Sequence, residues 1–370
     1  MSGAEDKRSS RVGAAAVIAL TCVYAAIFAY VFREYAYAEP GGFPAFYTSG
    51  KLARFDLSGL YSRHLQDVFH PGNLGTGYFF HLPYELILLV PLSYLPQIAA
   101  YIAWSALNLA CLYAMARILR RRFSRFPLLM PFAFAPTLSL LLNGQDLGLL
   151  ALVAALAFDR FAEGEDLQAG AILALGLFKF PLIVPLVAIL AVRYWRVLAG
   201  FAAAAAPLLI GSAMVMGRRG IADYLALTRG TDAKEAPAIL VNLRGMMGVL
   251  FGEHTAIVIG VSVVVVAIAA LVRAERIWMF SIAVIATLLV SWHAHQYDLV
   301  LLLIPMAAMT ESERRWIQYV PMVLLLATAG VLARFAYAWV AGIVLAGLFG
   351  ALVIEFATRR EHPLVTAPCR

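Results

Sequence analysis

Long apolar runs separated by short charged turns recur from one end of the chain to the other. A run of about 20 apolar residues can cross a bilayer core as a helix, and helices are the default because lipid offers bare peptide groups no partners. The pattern predicts spans over residues 12–32, 99–119, 127–142, 147–158, 168–180, 181–192, 197–216, 255–272, 277–292, 299–309, 317–334 and 337–356. The apolar segment 82–95 is interrupted by Pro83 and Pro91 and followed by Pro96. It is short for a span and is expected to be re-entrant or interfacial. The predicted fold is an all-α membrane protein, a polytopic bundle with about 12 transmembrane helices forming one integral domain over residues 1–370.

Two polar interruptions stand out, a first external loop at 33–96 and a second at 217–253. The first is too rich in Tyr, Phe, His and Pro for a passive linker. Within it, Pro44 to Arg54 can form a short amphipathic helix with Phe46, Tyr47 and Leu52 near one face. Ile221 to Leu227, in the second, can lie along a membrane surface.

Composition agrees with this picture. Hydrophobic residues make up 62% of the chain and charged residues 14%, against roughly 25% charged in soluble domains. The net charge of +7 comes from Arg in short turns, not from one basic face, which argues against nucleic acid. Lys7, Arg8 and Arg11 precede the first span, and Arg117, Arg120, Arg121, Arg122 and Arg125 cluster at the end of the next. By the positive-inside rule both termini are then cytoplasmic. Counting 82–95 as a span would put that second Arg cluster outside. The first span is longer than a signal-peptide core and is expected to be a retained anchor. Cys22, Cys111 and Cys369 are too scattered for a disulfide framework or a metal site.

This topology gathers polar groups at the outer mouth of the bundle, where ionisable residues are costly and usually functional. The first loop brings Glu39, Tyr47, Asp56, Tyr61, His81 and Glu85. Later turns bring Asn143, Gln145, Asp146, Lys179, Asn242, Arg244, His293, His295 and Asp298. Lys179, in an apolar stretch, is either a lysine snorkelling to the interface or a cation for a lipid phosphate. The turn from His293 to Asp298 suits phosphate or sugar hydroxyls, or is simply a hydrogen-bonded turn. Its His-x-His pair lacks a carboxylate–His set at zinc spacing, so neither metal nor cofactor is expected. Asn143-Gly144-Gln145 is a tight turn in which Gly supplies an unusual backbone angle.

Gly42-Phe43-Pro44-Ala45-Phe46-Tyr47, Gly59-Leu60-Tyr61, His81-Leu82-Pro83-Tyr84-Glu85 and Pro91-Leu92 together resemble the first-loop pattern of glycosyltransferase family 87. Asn143-Gly144-Gln145, Lys179 and the Tyr297-Asp298 turn extend the resemblance, which runs from about Val12 to Met309. It implies a GT-C-type helical bundle in a bacterial-type cytoplasmic (inner) membrane, working at the extracytoplasmic face. It also implies a polyprenyl-phosphate-linked donor of mannose or a related hexose, a lipid or glycan acceptor, and inverting transfer. The base would be a first-loop carboxylate, with Glu85, Glu39 and Asp56 as candidates. Lys179, Arg244, His293 and His295 would hold the donor phosphate. Tyr47, Tyr61, His81, Asn143, Gln145 and Asp298 would be supporting polar groups. The family usually carries Asp where this chain has Gly42, so either a neighbouring carboxylate has taken over or transfer has been lost. The rival class is a transporter or lipid flippase, which would carry its polar residues at the bilayer midplane between inverted repeats.

Overall fold

Proline and glycine set several of the helix boundaries. The computed structural model describes residues 2–35, 42–69, 78–231, 236–332 and 337–358. Among these, every regular element is helical and no strand is present. After the first long helix α1 (Ser2–Tyr35), the first loop folds into α2 (Phe43–Ala53), α3 (Arg63–Phe69) and α4 (Leu86–Leu92). Helix α2 is not amphipathic in place. Every residue from Phe43 to Gly50 is buried, so it is a plug packed against α4.

Helix α5 (Gln97–Arg122) starts after Pro96 and ends on Arg120, Arg121 and Arg122, cations that suit a helix C-terminus. Pro127, Pro131 and Pro136 delay the next helix, so α6 (Ala135–Asn143) occupies only the second half of the expected span 127–142. Gly144 ends α6 in the left-handed region, at φ 60°, and α7 (Leu147–Ala162) leaves from Asp146.

Two further predicted spans, 168–180 and 181–192, form a bent pair, α8 (Asp166–Ala174) and α9 (Phe180–Ala191), joined by a 3-10 turn at Leu177–Lys179. The pair turns through 70° at its break rather than reversing. Gly176 and Pro181 flank that break, where neither favours an uninterrupted helix. Helix α10 (Trp195–Thr231) packs closely on α8, where Gly170 and Gly200 leave no room for a methyl. Such close approach of small residues is typical of helix contacts in lipid. Helix α10 kinks at Gly217 (φ 62°) and then continues, so the start of the expected second loop is helical.

The remaining helices are α11 (Leu243–Phe251), α12 (Thr255–Leu271), α13 (Arg276–Val290), α14 (Leu303–Thr310), α15 (Arg315–Leu332) and α16 (Trp339–Thr358). Helix α13 is the central post, with every residue from Met279 to Leu289 buried.

Among the described residues, three helices are long and apolar enough to cross a membrane, Gln97–Arg122, Trp195–Arg229 and Trp339–Thr358, or four if the bent pair counts as one span. Five shorter apolar helices accompany them: Ala15–Val31, Pro83–Leu92, Thr255–Leu271, Arg276–Val290 and Gln296–Thr310. The expected count of about twelve is not confirmed by these helices, several of which are shorter than the roughly 20 residues a span needs.

The charged turns sort to two ends. At one, Arg122 pairs with Asp159 (3.2 Å) and Glu163 (3.3 Å), Arg276 with Asp166 (2.5 Å), and Arg314 with Glu355 (3.0 Å). Helices α7 and α13 run between this belt and the other end, where the candidate site lies.

Candidate active site

Four elements meet at the site, and each is held from behind. The first is the turn Pro83–Glu85, begun by Pro83, which fixes its first backbone angle. Just ahead of it, His81 is fixed through its backbone, whose carbonyl accepts a hydrogen bond from the Tyr61 hydroxyl at 2.5 Å. Its ring packs between Phe46, Phe79 and Phe178. Glu85, four residues on, brings Oε2 to 2.6 Å from His81 Nδ1.

The second element is the α6–α7 turn. The Tyr101 hydroxyl donates to the Leu141 carbonyl at 2.5 Å, and Trp104 Nε1–H donates to the Gly144 carbonyl at 3.0 Å. The Gly42 N–H donates to the Asn143 carbonyl at 2.9 Å. So clamped, the turn sends the buried Asp146 to 3.1 Å from His81 Nδ1. Third, the α8–α9 break presents Lys179, whose ammonium lies 3.3 Å from Asp146 and donates to Gln145 Oε1 at 3.2 Å. Fourth, the turn after α13 sets Tyr297 beneath Lys179, 5.8 Å from ring centre to Nζ. It also brings Asp298 within electrostatic reach of that ammonium.

The result is a buried row of alternating acidic and basic groups, Glu85, His81, Asp146, Lys179 and Asp298. Burial pushes the Glu85 and Asp298 carboxyls above the usual carboxylate range, against the pull of His81 on the first and of Lys179 on both. Burial opposes a charge on His81, yet the Glu85 and Asp146 carboxylates outweigh it and raise its pKa from 6.5 to about 9. Burial likewise opposes the Asp146 charge, but Lys179 and His81 prevail and hold its carboxyl below the usual carboxylate range. Among the described residues, Glu85 Oε1 and Asp298 Oδ1 are buried without a hydrogen-bond partner. His81, Glu85 and Asp146 bring their ligand atoms within 4.8 Å of one another, a donor set suited to a divalent cation. A cation there would have to displace the Nδ1 proton and sit beside the Lys179 ammonium, which already neutralises Asp146.

The other predicted residues are more widely placed. Gln145 belongs to the cluster, and Tyr61 supports it through His81. His295 caps the turn, its N–H donating to Asp298 Oδ2 at 2.7 Å, and its ring lies 5.2 Å from that of Tyr297. Arg244 is buried and stacks 4.8 Å over Trp292, next to the half-buried His293. Asn242 ties that region down by donating to the Ser291 carbonyl at 2.6 Å.

Three predicted residues are engaged elsewhere, and Glu39 lies outside the described residues. The Tyr47 hydroxyl donates to the Leu95 carbonyl at 2.7 Å. The Asn143 amide folds back onto the Ser139 carbonyl at 2.8 Å. Asp56 caps a 3-10 turn by accepting from Ser58 (2.6 Å) and the Gly59 N–H (3.1 Å), bonds that lower its pKa. A carboxylate spent on a local cap has little basicity left for an acceptor. Asp146 is the central residue that the sequence marks only as one polar group in a turn. Its place ahead of the apolar helix α7 reads as ordinary helix-end chemistry.

The sequence profile of glycosyltransferase family 87 matches residues 79–303, more than half of the chain. The protein belongs to glycosyltransferase family 87. The matched stretch holds all five charged residues of the cluster, whereas Gly42, Asp56 and Glu39 precede it. No curated protein matches the chain. As a family 87 member it is a glycosyltransferase, and its apolar helices make it a membrane protein.

Proposed function

We propose that this family 87 glycosyltransferase moves a hexose, mannose or a close relative, from a polyprenyl-phosphate carrier to a hydroxyl of a lipid or glycan acceptor. The observation that carries this reading is a buried carboxylate with an open oxygen, Glu85 Oε1, in the same contiguous cluster as a buried ammonium, Lys179.

In the proposed reaction Glu85 takes the proton of the acceptor hydroxyl. The freed oxygen attacks the anomeric carbon from the face opposite the phosphate, and the carbon–oxygen bond to phosphate breaks with its electron pair leaving on the phosphate. His81, protonated at neutral pH, donates to the other Glu85 oxygen and keeps the carboxylate aimed. Lys179 meets the charge that develops on the leaving phosphate, where a fixed cation in a dry site is most effective. Arg244, His293 and His295 are proposed as further donor contacts, Arg244 stacked on Trp292 and His295 beside Tyr297.

Purified protein given polyprenyl-phosphate mannose and a mixed lipid acceptor tests this. Glu85→Gln keeps the hydrogen bond to His81 but removes the base. Its turnover is expected to fall by about 100-fold or more, in line with the loss of a general base. Wild-type turnover with an unaffected Glu85→Gln variant would assign the base elsewhere. The second reading, a chain that binds donor without transferring it, is favoured by Gly42, because the Gln145 amide fills the space a side chain there would take. Under that reading wild type binds the donor and releases no free polyprenyl phosphate.

A further inference from the structure

The break between α8 and α9 removes backbone hydrogen bonds in an apolar stretch of a membrane chain, where an unmade bond is expensive. One side chain supplies two of them. The Tyr84 hydroxyl accepts from the Phe178 N–H at 2.6 Å and donates to the Leu175 carbonyl at 3.0 Å. Its ring meets that of Phe178 edge-on, with centroids 6.5 Å apart. Phe178 directly precedes Lys179, and Tyr84 directly precedes Glu85 on the same 3-10 turn. A single hydroxyl therefore fastens the turn that carries the carboxylate to the break that carries the ammonium.

We infer that Tyr84 is a positioning residue: it sets the backbone from which Lys179 reaches the site and so governs how tightly the site holds an isoprenyl phosphate. This rests on the reading of Lys179 as the phosphate contact. Tyr84 does not itself touch the reacting atoms. Misplacing a binding group by a fraction of an ångström is enough to weaken a charge-assisted contact.

The test uses full-length protein in detergent with farnesyl phosphate as the probe, read by calorimetry. Wild type is expected to bind it. Tyr84→Phe, which keeps the ring and loses both hydrogen bonds, is expected to bind about 10-fold more weakly. Lys179→Gln is expected to bind weakly, and Tyr84→Phe added to Lys179→Gln is expected to cost little more, since both act through one ammonium. Hydrogen exchange at the Phe178 amide is expected to quicken in Tyr84→Phe. Wild-type affinity in Tyr84→Phe, or full additivity in the double variant, overturns the inference and leaves the proposed function standing. A wild-type protein that does not bind farnesyl phosphate overturns the Lys179 reading, and this inference with it. If Tyr84→Phe does not fold, full-length protein carrying 3-fluorotyrosine at position 84, which keeps the ring and hydroxyl but weakens the oxygen as an acceptor, takes its place. A smaller loss of affinity then supports the inference, and unchanged affinity overturns it.

Discussion

His81 has one ring nitrogen in contact with two carboxylates, and that makes it the residue whose titration the fold should feel most. Its pKa is raised from 6.5 to about 9, so its ion pairs add stability that is complete below pH 6.5 and is lost as pH rises through about 9. Thermal unfolding in detergent should therefore show a falling midpoint between pH 6.5 and 9 for wild type. His81→Gln, unable to charge, should lack that slope. Equal slopes in the two proteins would mean that the imidazolium is not what Glu85 and Asp146 hold.

Much at this scale was legible in the sequence. Lys179 and Glu85 stand out as charges beside apolar runs, and both enter the cluster. Asp146 and Tyr84 were not, because their roles depend on which distant turns they meet. Nothing near Asp146 in sequence announces His81 and Lys179, and nothing near Tyr84 announces a broken helix 91 residues away. Gly42 could be seen as a departure from the family, but not that Gln145 fills its side-chain space.

Among the elements, the α6–α7 turn is closely constrained. Gly144 adopts φ 60°, which costs an L-residue about 1 kcal/mol or more. A methyl on Gly144 would also fall 2.5 Å from Phe43 Cβ, on the plug helix α2. Gly144→Ala should thus cost about 2–3 kcal/mol, strain and overpacking together. It should also weaken farnesyl phosphate binding, because Asp146 is displaced with the turn. A lowered unfolding midpoint with unchanged binding would show that the turn moves without carrying Asp146. The glycine itself could be read from the Asn-Gly-Gln motif. The shortness of α6 and the 70° bend between α8 and α9 could not be read from hydropathy, which registers apolar length and does not see where proline ends a helix.

For the whole molecule, the separation of charge into two ends is the feature that bears on orientation. The belt end carries Arg120, Arg121, Arg122, Arg125, Arg160, Arg193, Arg276 and Arg314, and every described ion pair of Asp159, Glu163, Asp166, Glu311 and Glu355 lies there. Orientation follows Lys and Arg in short loops and little else, so the belt is expected on the cytoplasmic side and the Glu85–Lys179 cluster on the opposite one. A lipid-carried donor fits that side, where nucleotide sugars are scarce. With Cys22, Cys111 and Cys369 replaced by Ser, single cysteines at Glu163 and at His64 report the two ends. A membrane-impermeant maleimide on intact cells should label the His64 position at once and the Glu163 position only after permeabilisation. The reverse pattern would place the cluster on the cytoplasmic face, where a nucleotide sugar could be the donor, and would remove the reason for a polyprenyl carrier.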